Sequence, residues 1–180
     1  MFDIDGTSAL TGSALEPGDA ALTYATDYGW HVLPLCWPIN DQRCGCGRAL
    51  TDHKVGKAPL TRNGVDDATD DPVQIREWWR RWPRANVGIA FKHSALLVVA
   101  PDSPKWLAAF EQRGLPPTIT VRSGGGAGHV HFYYARPDGC PIHRIARTGE
   151  YDLLSGGYVV VPPSRHKDGP AYEWVRAPWD

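Results

Sequence analysis

The chain has 180 residues, with 19 basic and 20 acidic side chains and a formal net charge of -1. That length suits a single domain, and 42% hydrophobic residues are enough to build a core, which excludes wholesale disorder. The N-terminus is acidic, and no apolar run approaches the roughly 18 residues that a membrane span needs. The four cysteines are therefore expected as thiols or metal ligands, and the chain as a cytoplasmic protein without membrane contact.

The first third of the chain contains a tail, a helix, a strand and a long irregular segment. Residues 1–15 carry Gly, Ser and Thr without an apolar period, which predicts a flexible N-terminal tail ahead of a domain at 16–180. A helix is predicted over 16–29 and a strand over 31–35. Residues 36–62 show neither helical nor strand periodicity. A loop that long inside a compact domain is usually functional or needs a ligand to hold it.

Strands dominate the rest of the chain. Asp71 at the N-cap and Pro72 at the first helical position predict a second helix that Pro83 ends, and a short helix is predicted over 106–112. Apolar runs predict strands at 86–90, 95–99, 118–122, 130–134, 151–154, 157–161 and 172–175. The strands at 151–154 and 157–161 are expected to form a pair. Helices early and strands late indicate the α+β class.

Four potential metal ligands, Cys36, Cys44, Cys46 and His53, lie within the irregular loop. Three thiolates and one imidazole make a tetrahedral Zn²⁺ ligand set, and a structural zinc stabilises a loop of this kind. The spacing is less regular than that of two Cys-x-x-Cys pairs, so separate buried or surface thiols are the alternative. The sequence gives no role for Cys140.

A glycine-rich turn from Ser123 to Gly128 joins two predicted strands, and His129 follows it. Glycines let neighbouring backbone N–H groups face outward together, and such a nest can bind a phosphate to which the histidine adds a donor. The turn is not a Walker-type loop, because it lacks the Gly-Lys-Ser/Thr ending and no helix follows it. A plain glycine-rich hairpin loop is the alternative.

Two acidic residues accompany predicted strands, and a basic residue follows a proline pair. Asp102 stands where the strand that begins at Ala95 ends, so it could bind Mg²⁺ or could simply cap the next helix. Asp152 lies in an otherwise apolar stretch. Arg165 follows two prolines that would hold its guanidinium in place for a phosphate, with a surface cation on a hairpin as the alternative.

In this order, the motifs resemble the bifunctional DNA primase/polymerase (prim-pol) domain of the archaeo-eukaryotic primase superfamily, over about residues 19–174. The stretches that carry the resemblance are GWHVLPL at 29–35, GKAP at 56–59, DATDDP at 67–72, Trp78-Trp79 with PRANVGIA at 83–90, the Ser-Gly-Gly-Gly…His turn and GYVVVPPS at 157–164. The similarity implies a central, mostly antiparallel sheet of the RRM-like primase core, with flanking helices and a zinc-binding loop.

The resemblance also implies an activity. Such a domain is a nucleotidyltransferase that synthesises and extends primers on single-stranded DNA from (d)NTPs, using Mg²⁺ or Mn²⁺. By position, Asp102 and Asp152 match metal-binding carboxylates, and His129 matches a catalytic, nucleotide-binding histidine. Further nucleotide-binding candidates are Ser123, Gly124, Gly125, Ser164, Arg165 and Lys57. A helicase domain or protein is left open as a further partner.

Ala100 departs from the family pattern, because the first metal-binding Asp is expected at its position. Two-metal nucleotidyl transfer needs its carboxylates, so catalysis should be impaired while nucleotide binding survives. We favour an engineered substitution as the explanation. The alternative is a catalytically inactive module, diverged and retained for binding single-stranded DNA and nucleotide. A zinc-held scaffold without any nucleotide role is the third hypothesis.

Overall fold

The computed structural model describes residues 15–40, 43–49, 53–126, 128–140, 144–147 and 150–180, so the predicted N-terminal tail, apart from Leu15, lies outside the described residues. The helices are α1 (Pro17–Tyr28), α2 (Pro72–Arg81), α3 (Phe91–Ser94) and α4 (Pro104–Gln112). The strands are β1 (Val32–Leu35), β2 (Pro38–Asn40), β3 (Arg43–Cys44), β4 (Asn86–Ala90), β5 (Leu96–Pro101), β6 (Ile119–Arg122), β7 (Val130–Ala135), β8 (Arg144–Arg147), β9 (Tyr151–Leu154), β10 (Tyr158–Val161) and β11 (Glu173–Arg176).

The predicted α+β class with antiparallel strands is confirmed, and the strands divide between two larger sheets. The smaller of the two has the order β1-β4-β10, and the larger has the order β11-β6-β7-β5-β9-β8. Every strand pairing in them is antiparallel. The irregular loop also contains a short two-stranded ribbon, β2-β3, which its sequence did not predict.

The prediction that 151–154 and 157–161 form a pair is wrong. β9 pairs with β5 and β8, whereas β10 pairs with β4 in the other sheet. The chain crosses between the sheets at Gly157, whose φ of 76° favours glycine and whose carbonyl accepts a hydrogen bond from the Phe91 N–H. Adjacency in the chain therefore does not fix the partner of a short apolar strand.

The helix boundaries follow their capping residues. At α2 the Asp71 carboxylate accepts a hydrogen bond from the Val73 N–H at 2.9 Å, with Pro72 in the first turn, as the sequence predicts. The buried face of α2, Ile75 and Trp79, belongs to the same core as α1. α4 starts at Pro104, earlier than predicted, because Ser103 caps it through the Trp106 N–H.

The hydrophobic core contains residues of both larger sheets together with residues of α1 and α2. Tyr24 of α1 is 1% exposed and ties the layers together: its hydroxyl donates to the Pro162 carbonyl at 2.7 Å and accepts from the Trp174 indole at 3.2 Å. In the part of the chain that the structure describes, no helix has both the length and the apolar character needed to cross a membrane.

Candidate active site

A cavity of about 350 Å³ between the two larger sheets contains the predicted carboxylates. Strands β5, β7 and β9 contribute lining residues from one sheet, and β10 contributes them from the other. Two lysines of the irregular loop complete the lining. The polar and central residues of this carboxylate cavity are Asp102, Asp152, Lys54, Lys57, His131 and Ala100.

Strand register brings three of these positions into one row. Ala100 on β5 pairs with Asp152 on β9. On the other flank of β5, Val99 pairs with Phe132 on β7, so His131 is the next residue beside Ala100. Residues opposite each other on neighbouring strands point to the same face with their Cβ atoms about 5 Å apart. The side chains at 152, 100 and 131 therefore form a row across three strands, on the face that lines the cavity.

Asp102 joins this row from one residue beyond the end of β5. Alternate residues of a strand share a face, so positions 100 and 102 point the same way. The Asp102 backbone N–H donates to the Glu150 carbonyl at 2.9 Å, which holds it near the start of β9. Because Ser103 caps α4, the capping alternative for Asp102 does not hold. The structure thus brings both predicted carboxylates to one cavity around position 100; that they bind metal stays a prediction.

The segment that carries Lys54 and Lys57, here called the lysine turn (residues 54–58), is held from three sides. The Tyr158 hydroxyl of β10 donates to the Lys57 carbonyl at 2.8 Å. The Asn86 side-chain amide donates to the Gly56 carbonyl at 2.8 Å, and the Cys36 N–H donates to the Ala58 carbonyl at 2.7 Å. These hydrogen bonds fix the irregular backbone at the place where the Lys54 and Lys57 side chains line the carboxylate cavity. That Lys57 binds nucleotide stays a prediction.

Histidines gather close to Lys57. Burial, then the charges of Lys57 and His129, lower the pKa of His131 from its usual range to about 4. Burial and then Lys57 also lower the pKa of His166, which the Asp168 carboxylate opposes. His129, His131 and His166 therefore share one electrostatic neighbourhood with Lys57. His129 was the predicted nucleotide-binding histidine, with His131 as the alternative, and it is His131 that lines the carboxylate cavity.

The glycine turn and His129 lie beside the carboxylate cavity, outside its lining. Ser123 accepts a hydrogen bond from the Gly125 N–H through its hydroxyl, at 3.3 Å. A Cβ on Gly125 would meet the His129 ring at 3.3 Å, and one on Gly124 would lie 2.3 Å from the His166 Cβ, so the turn packs closely against both histidines. Ser123 and Gly124 line a neighbouring cavity of about 630 Å³ between α4 and the sheet. That this turn binds a phosphate stays a prediction.

The structure separates Ser164 and Arg165 from the carboxylate cavity. Ser164 is 1% exposed, and its hydroxyl accepts from the Val87 N–H at 2.8 Å, which is a structural role. The Asn86 side-chain amide donates a hydrogen bond to the Arg165 carbonyl, and its oxygen accepts one from the Arg165 N–H. Arg165 lines a different cavity beside α1. His166, the next residue, is the one that reaches the histidine group. We therefore leave Ser164 and Arg165 out of the binding site proposed below.

The four predicted zinc ligands converge. One ligand atom from each of Cys36, Cys44, Cys46 and His53 lies within 4.8 Å of all the others. Two of these contacts are 3.2 Å between the Cys44 and Cys46 sulfurs and 3.3 Å between the Cys46 sulfur and His53 Nε2. We call this group the Cys/His cluster. It is compatible with tetrahedral zinc, and it is the one such converged group among the described residues.

Hydrogen bonds to groups outside the Cys/His cluster orient its ligand atoms. His53 Nδ1 lies 2.9 Å from the Ala49 carbonyl, which leaves Nε2 directed at the sulfurs, as in metal-bound histidines. Burial raises the pKa of Cys36 to about 12. Burial also acts to raise the pKa of Cys46, but hydrogen bonds from Arg48 and Cys44 lower it below its ordinary value. The residue after His53 is Lys54, so the cluster and the lysine turn are continuous in the chain.

Comparison with known proteins agrees with this architecture. No curated protein sequence gives a significant match. The model of one family, described as the N-terminal domain of bifunctional DNA primase/polymerase, matches residues 21–180. That range contains both larger sheets, the carboxylate cavity and the Cys/His cluster. The family implies DNA and nucleotide substrates and a nucleotidyltransferase type of chemistry. The chain belongs to the Prim-Pol family.

Proposed function

We propose that residues 16–180 form a prim-pol domain that binds a (d)NTP and divalent cations in the carboxylate cavity and extends a primer on single-stranded DNA. Asp102 and Asp152 hold the cations, and Lys57 with His129 contacts the triphosphate. Catalysis is slow in this chain because Ala100 stands where the family has its first metal-binding carboxylate. Zinc in the Cys/His cluster has a structural role.

The observation that carries this proposal is the position of Asp152 on β9 directly opposite residue 100 on β5, with Asp102 two residues further along on the same face. Ala100 is 7% exposed and pairs directly with Asp152, so a carboxylate at position 100 would lie between Asp102 and Asp152 at the cavity. Three carboxylates so arranged are what a two-cation site requires. Lys54 and Lys57 line the same cavity and supply charges that complement phosphate.

Each residue has a definite task in this reaction. Asp102 and Asp152 would hold the cations, whose chemistry would be to neutralise charge on the triphosphate and to activate the attacking 3′-oxygen. Lys57 is a point cation on a turn that three hydrogen bonds fix, so little reorganisation is needed when a phosphate binds. The neighbouring histidines His131 and His166, whose pKa values burial lowers, offer neutral imidazole groups beside these charges. Ala100 has a methyl group and therefore offers no oxygen ligand at this position.

Restoring the carboxylate tests the proposal. Ala100→Asp and the parent protein are compared for nucleotide affinity by titration and for primer synthesis on single-stranded DNA with Mg²⁺. We expect similar affinities and synthesis at least ~100-fold faster with Asp, the scale of one lost electrostatic contribution to a transition state. Ala108→Asp, which adds the same charge on the exposed face of α4, is the control and should change neither quantity.

The second candidate function is the binding module, which the Ala100 side chain itself favours. If Ala100→Asp binds nucleotide and DNA as the parent does and still makes no product, the domain binds without catalysing. Equal, vigorous synthesis by both proteins would show that position 100 carries no metal ligand, and the assignment of the row would be wrong.

A further inference from the structure

A groove outside the carboxylate cavity runs along helix α2 and has no role in the proposed chemistry. Its volume is about 970 Å³, and its lining comes from α2 with Trp82 on one side and from residues 60–69 on the other. The lining contains two half-buried tryptophans and three exposed arginines. We call it the Trp/Arg groove, after Trp78, Trp82, Arg62, Arg80 and Arg81.

The three tryptophans of α2 and its C-cap have different environments. Trp79 is 6% exposed and its indole N–H donates to the Ala85 carbonyl at 3.2 Å, so it belongs to the core. Trp78 and Trp82 both line the groove and keep part of their rings exposed. They are four residues apart, and the Trp82 N–H donates to the Trp78 carbonyl at 2.8 Å, so the rings lie one helical turn apart. Two such rings form a surface on which flat apolar groups can stack.

The arginines of the groove carry positive charge that the fold does not pair. Arg81 lies over the Trp82 ring, with its Cζ 4.7 Å from the ring centroid, and this cation–π contact holds the guanidinium beside the indole. Among the described residues, none of Arg62, Arg80 and Arg81 forms an ion pair with a carboxylate. Their N–H donors are therefore available to an anionic ligand in the groove.

The lining also contains three carboxylates, so its formal charge is balanced, but two of them serve the walls of the groove. The Asp67 carboxylate accepts hydrogen bonds from the Asn63 N–H at 2.8 Å and from the Asn63 side-chain amide at 2.9 Å, and these bonds lower the pKa of Asp67. Asp71 caps α2. The third carboxylate is that of Glu77. Donors of the fold therefore engage two of the carboxylates, whereas the arginine donors face the groove unpaired.

A single nucleic-acid strand has the chemistry that this lining recognises. Indole rings stack on bases of any sequence, and guanidinium groups bind phosphate oxygens. Bases in a duplex are already stacked on one another, so exposed rings select the single strand. The family to which the chain belongs acts on DNA.

The Trp/Arg groove adjoins the lysine turn. Leu60 lines the groove, and its neighbour Pro59 pairs with Leu35 of β1, which fixes the connecting backbone. Lys57 precedes Leu60 by three residues, so their Cα atoms are at most about 11 Å apart. A strand in the groove would therefore lie beside the segment that lines the carboxylate cavity.

We propose that the Trp/Arg groove binds single-stranded DNA, with bases stacked on its two tryptophans and phosphates bound by its three arginines. That this strand is the template for the carboxylate cavity rests on the proposed function. The binding itself rests on the groove alone.

The test measures binding of a fluorescein-labelled oligothymidylate by fluorescence anisotropy, without nucleotide or Mg²⁺, on protein carrying its zinc. The parent is compared with Trp82→Leu and Trp179→Leu. Trp179 is 53% exposed and lies outside the groove, so it serves as the matched control. We expect Trp82→Leu to bind about 5- to 150-fold more weakly, the scale of one lost base-stacking contact, and Trp179→Leu to bind as the parent does.

The dependence of binding on salt tests the arginines. Each phosphate contact to a single strand adds about 0.7 to the slope of log affinity against log salt. Arg62→Gln/Arg80→Gln changes one arginine on each side of the groove and should reduce that slope by about 1.4. Arg76→Gln, on the same helix but outside the groove, should leave the slope unchanged.

A measurement on the unmutated protein keeps the outcome clear if Trp82→Leu folds poorly. An oligonucleotide that contains 5-iododeoxyuridine is irradiated in the complex, and the cross-linked peptides are identified by mass spectrometry. We expect cross-links at Trp78 or Trp82. Cross-links confined to residues outside the groove, unchanged affinity in a folded Trp82→Leu protein, or no binding of oligothymidylate by the parent would each overturn the inference.

These results separate the inference from the proposed function. If oligonucleotide binding is independent of the groove but Ala100→Asp synthesises primers, the polymerase proposal stands and the groove assignment is wrong. If binding depends on the groove while no variant makes product, the groove assignment stands and the domain is a binding module.

Discussion

The position of Lys57 can be tested through a single hydroxyl group, that of Tyr158, which holds the Lys57 backbone. Tyr158→Phe removes the 2.8 Å hydrogen bond to the Lys57 carbonyl and leaves the ring in place. The two other attachments of the lysine turn, from Asn86 to Gly56 and from Cys36 to Ala58, remain. The turn should therefore loosen without detaching. If Lys57 acts by being held in place, this loosening should weaken its contact with a triphosphate.

The expected magnitudes differ between the variant that moves Lys57 and the one that removes its charge. One hydrogen bond to a backbone carbonyl contributes about 0.5–1.5 kcal/mol net, so Tyr158→Phe should lower the free energy of unfolding by about 1 kcal/mol. We expect its triphosphate affinity to fall by a few-fold. Lys57→Met loses a charged hydrogen-bond donor, about 1.5–3 kcal/mol, or roughly 10- to 150-fold in affinity.

The assay is a double-mutant cycle with urea unfolding and with titrations of a nucleoside triphosphate and the matching monophosphate. With Lys57→Met already present, Tyr158→Phe should cost no further triphosphate affinity, because its effect passes through Lys57. Tyr134→Phe is the control, since it also loses one bond to a backbone carbonyl, at 3.0 Å from Pro116, but lines no part of the cavity. Reduced stability with unchanged triphosphate affinity in Tyr158→Phe would refute the positioning role.

Three further predictions follow from the described contacts. Protein purified without added zinc should contain about one equivalent of it, because a closed four-ligand site binds zinc tightly, and metal analysis that finds none in a fully folded protein would contradict the Cys/His cluster as a zinc site. His129→Ala should weaken nucleotide binding by about 1.5–3 kcal/mol, the scale of a hydrogen bond to a charged group, and an unchanged titration would remove His129 from the site. Tyr133→Phe should leave the urea midpoint unchanged or raise it, because the lost hydroxyl is buried without a partner among the described residues, whereas Tyr24→Phe should lower the free energy of unfolding by about 1–3 kcal/mol because it breaks two bonds.

The sequence predicted correctly those elements that depend on interactions between residues close together in the chain. Asp71 and Pro72 specify the start of α2 through a cap and a fixed φ, and the structure shows both. The same kind of reasoning missed β8 and wrongly paired 151–154 with 157–161. Strand pairing depends on partners far along the chain, and β10 pairs with β4, about 70 residues earlier. Alternation of side chains indicates a strand but not its neighbour.

Residues of the candidate site were also predictable to different extents, because their proximity depends on the pairing of distant strands. The resemblance placed Asp102, Asp152 and position 100 together, and the register of β5 with β9 accounts for that proximity. His131 was predicted only as the alternative to His129, although it has the same parity on β7 as the buried Tyr133. The sequence offered no basis for predicting whether Arg165 or His166 lies near the other histidines, since a turn after two prolines has no side-chain period.

The charges of the carboxylate cavity account for the expectation that Ala100 affects rate more than binding. The cavity offers two carboxylates, Asp102 and Asp152, against two ammonium groups, Lys54 and Lys57. A third carboxylate would attract cations more strongly, but it would also repel the triphosphate that those cations accompany. For a carboxylate at position 100, these two effects would largely offset each other in the bound ground state. They do not offset each other at the developing charge of the 3′-oxygen, where an additional cation ligand has no repulsive counterpart. Loss of the carboxylate should therefore appear in turnover and leave nucleotide affinity nearly unchanged.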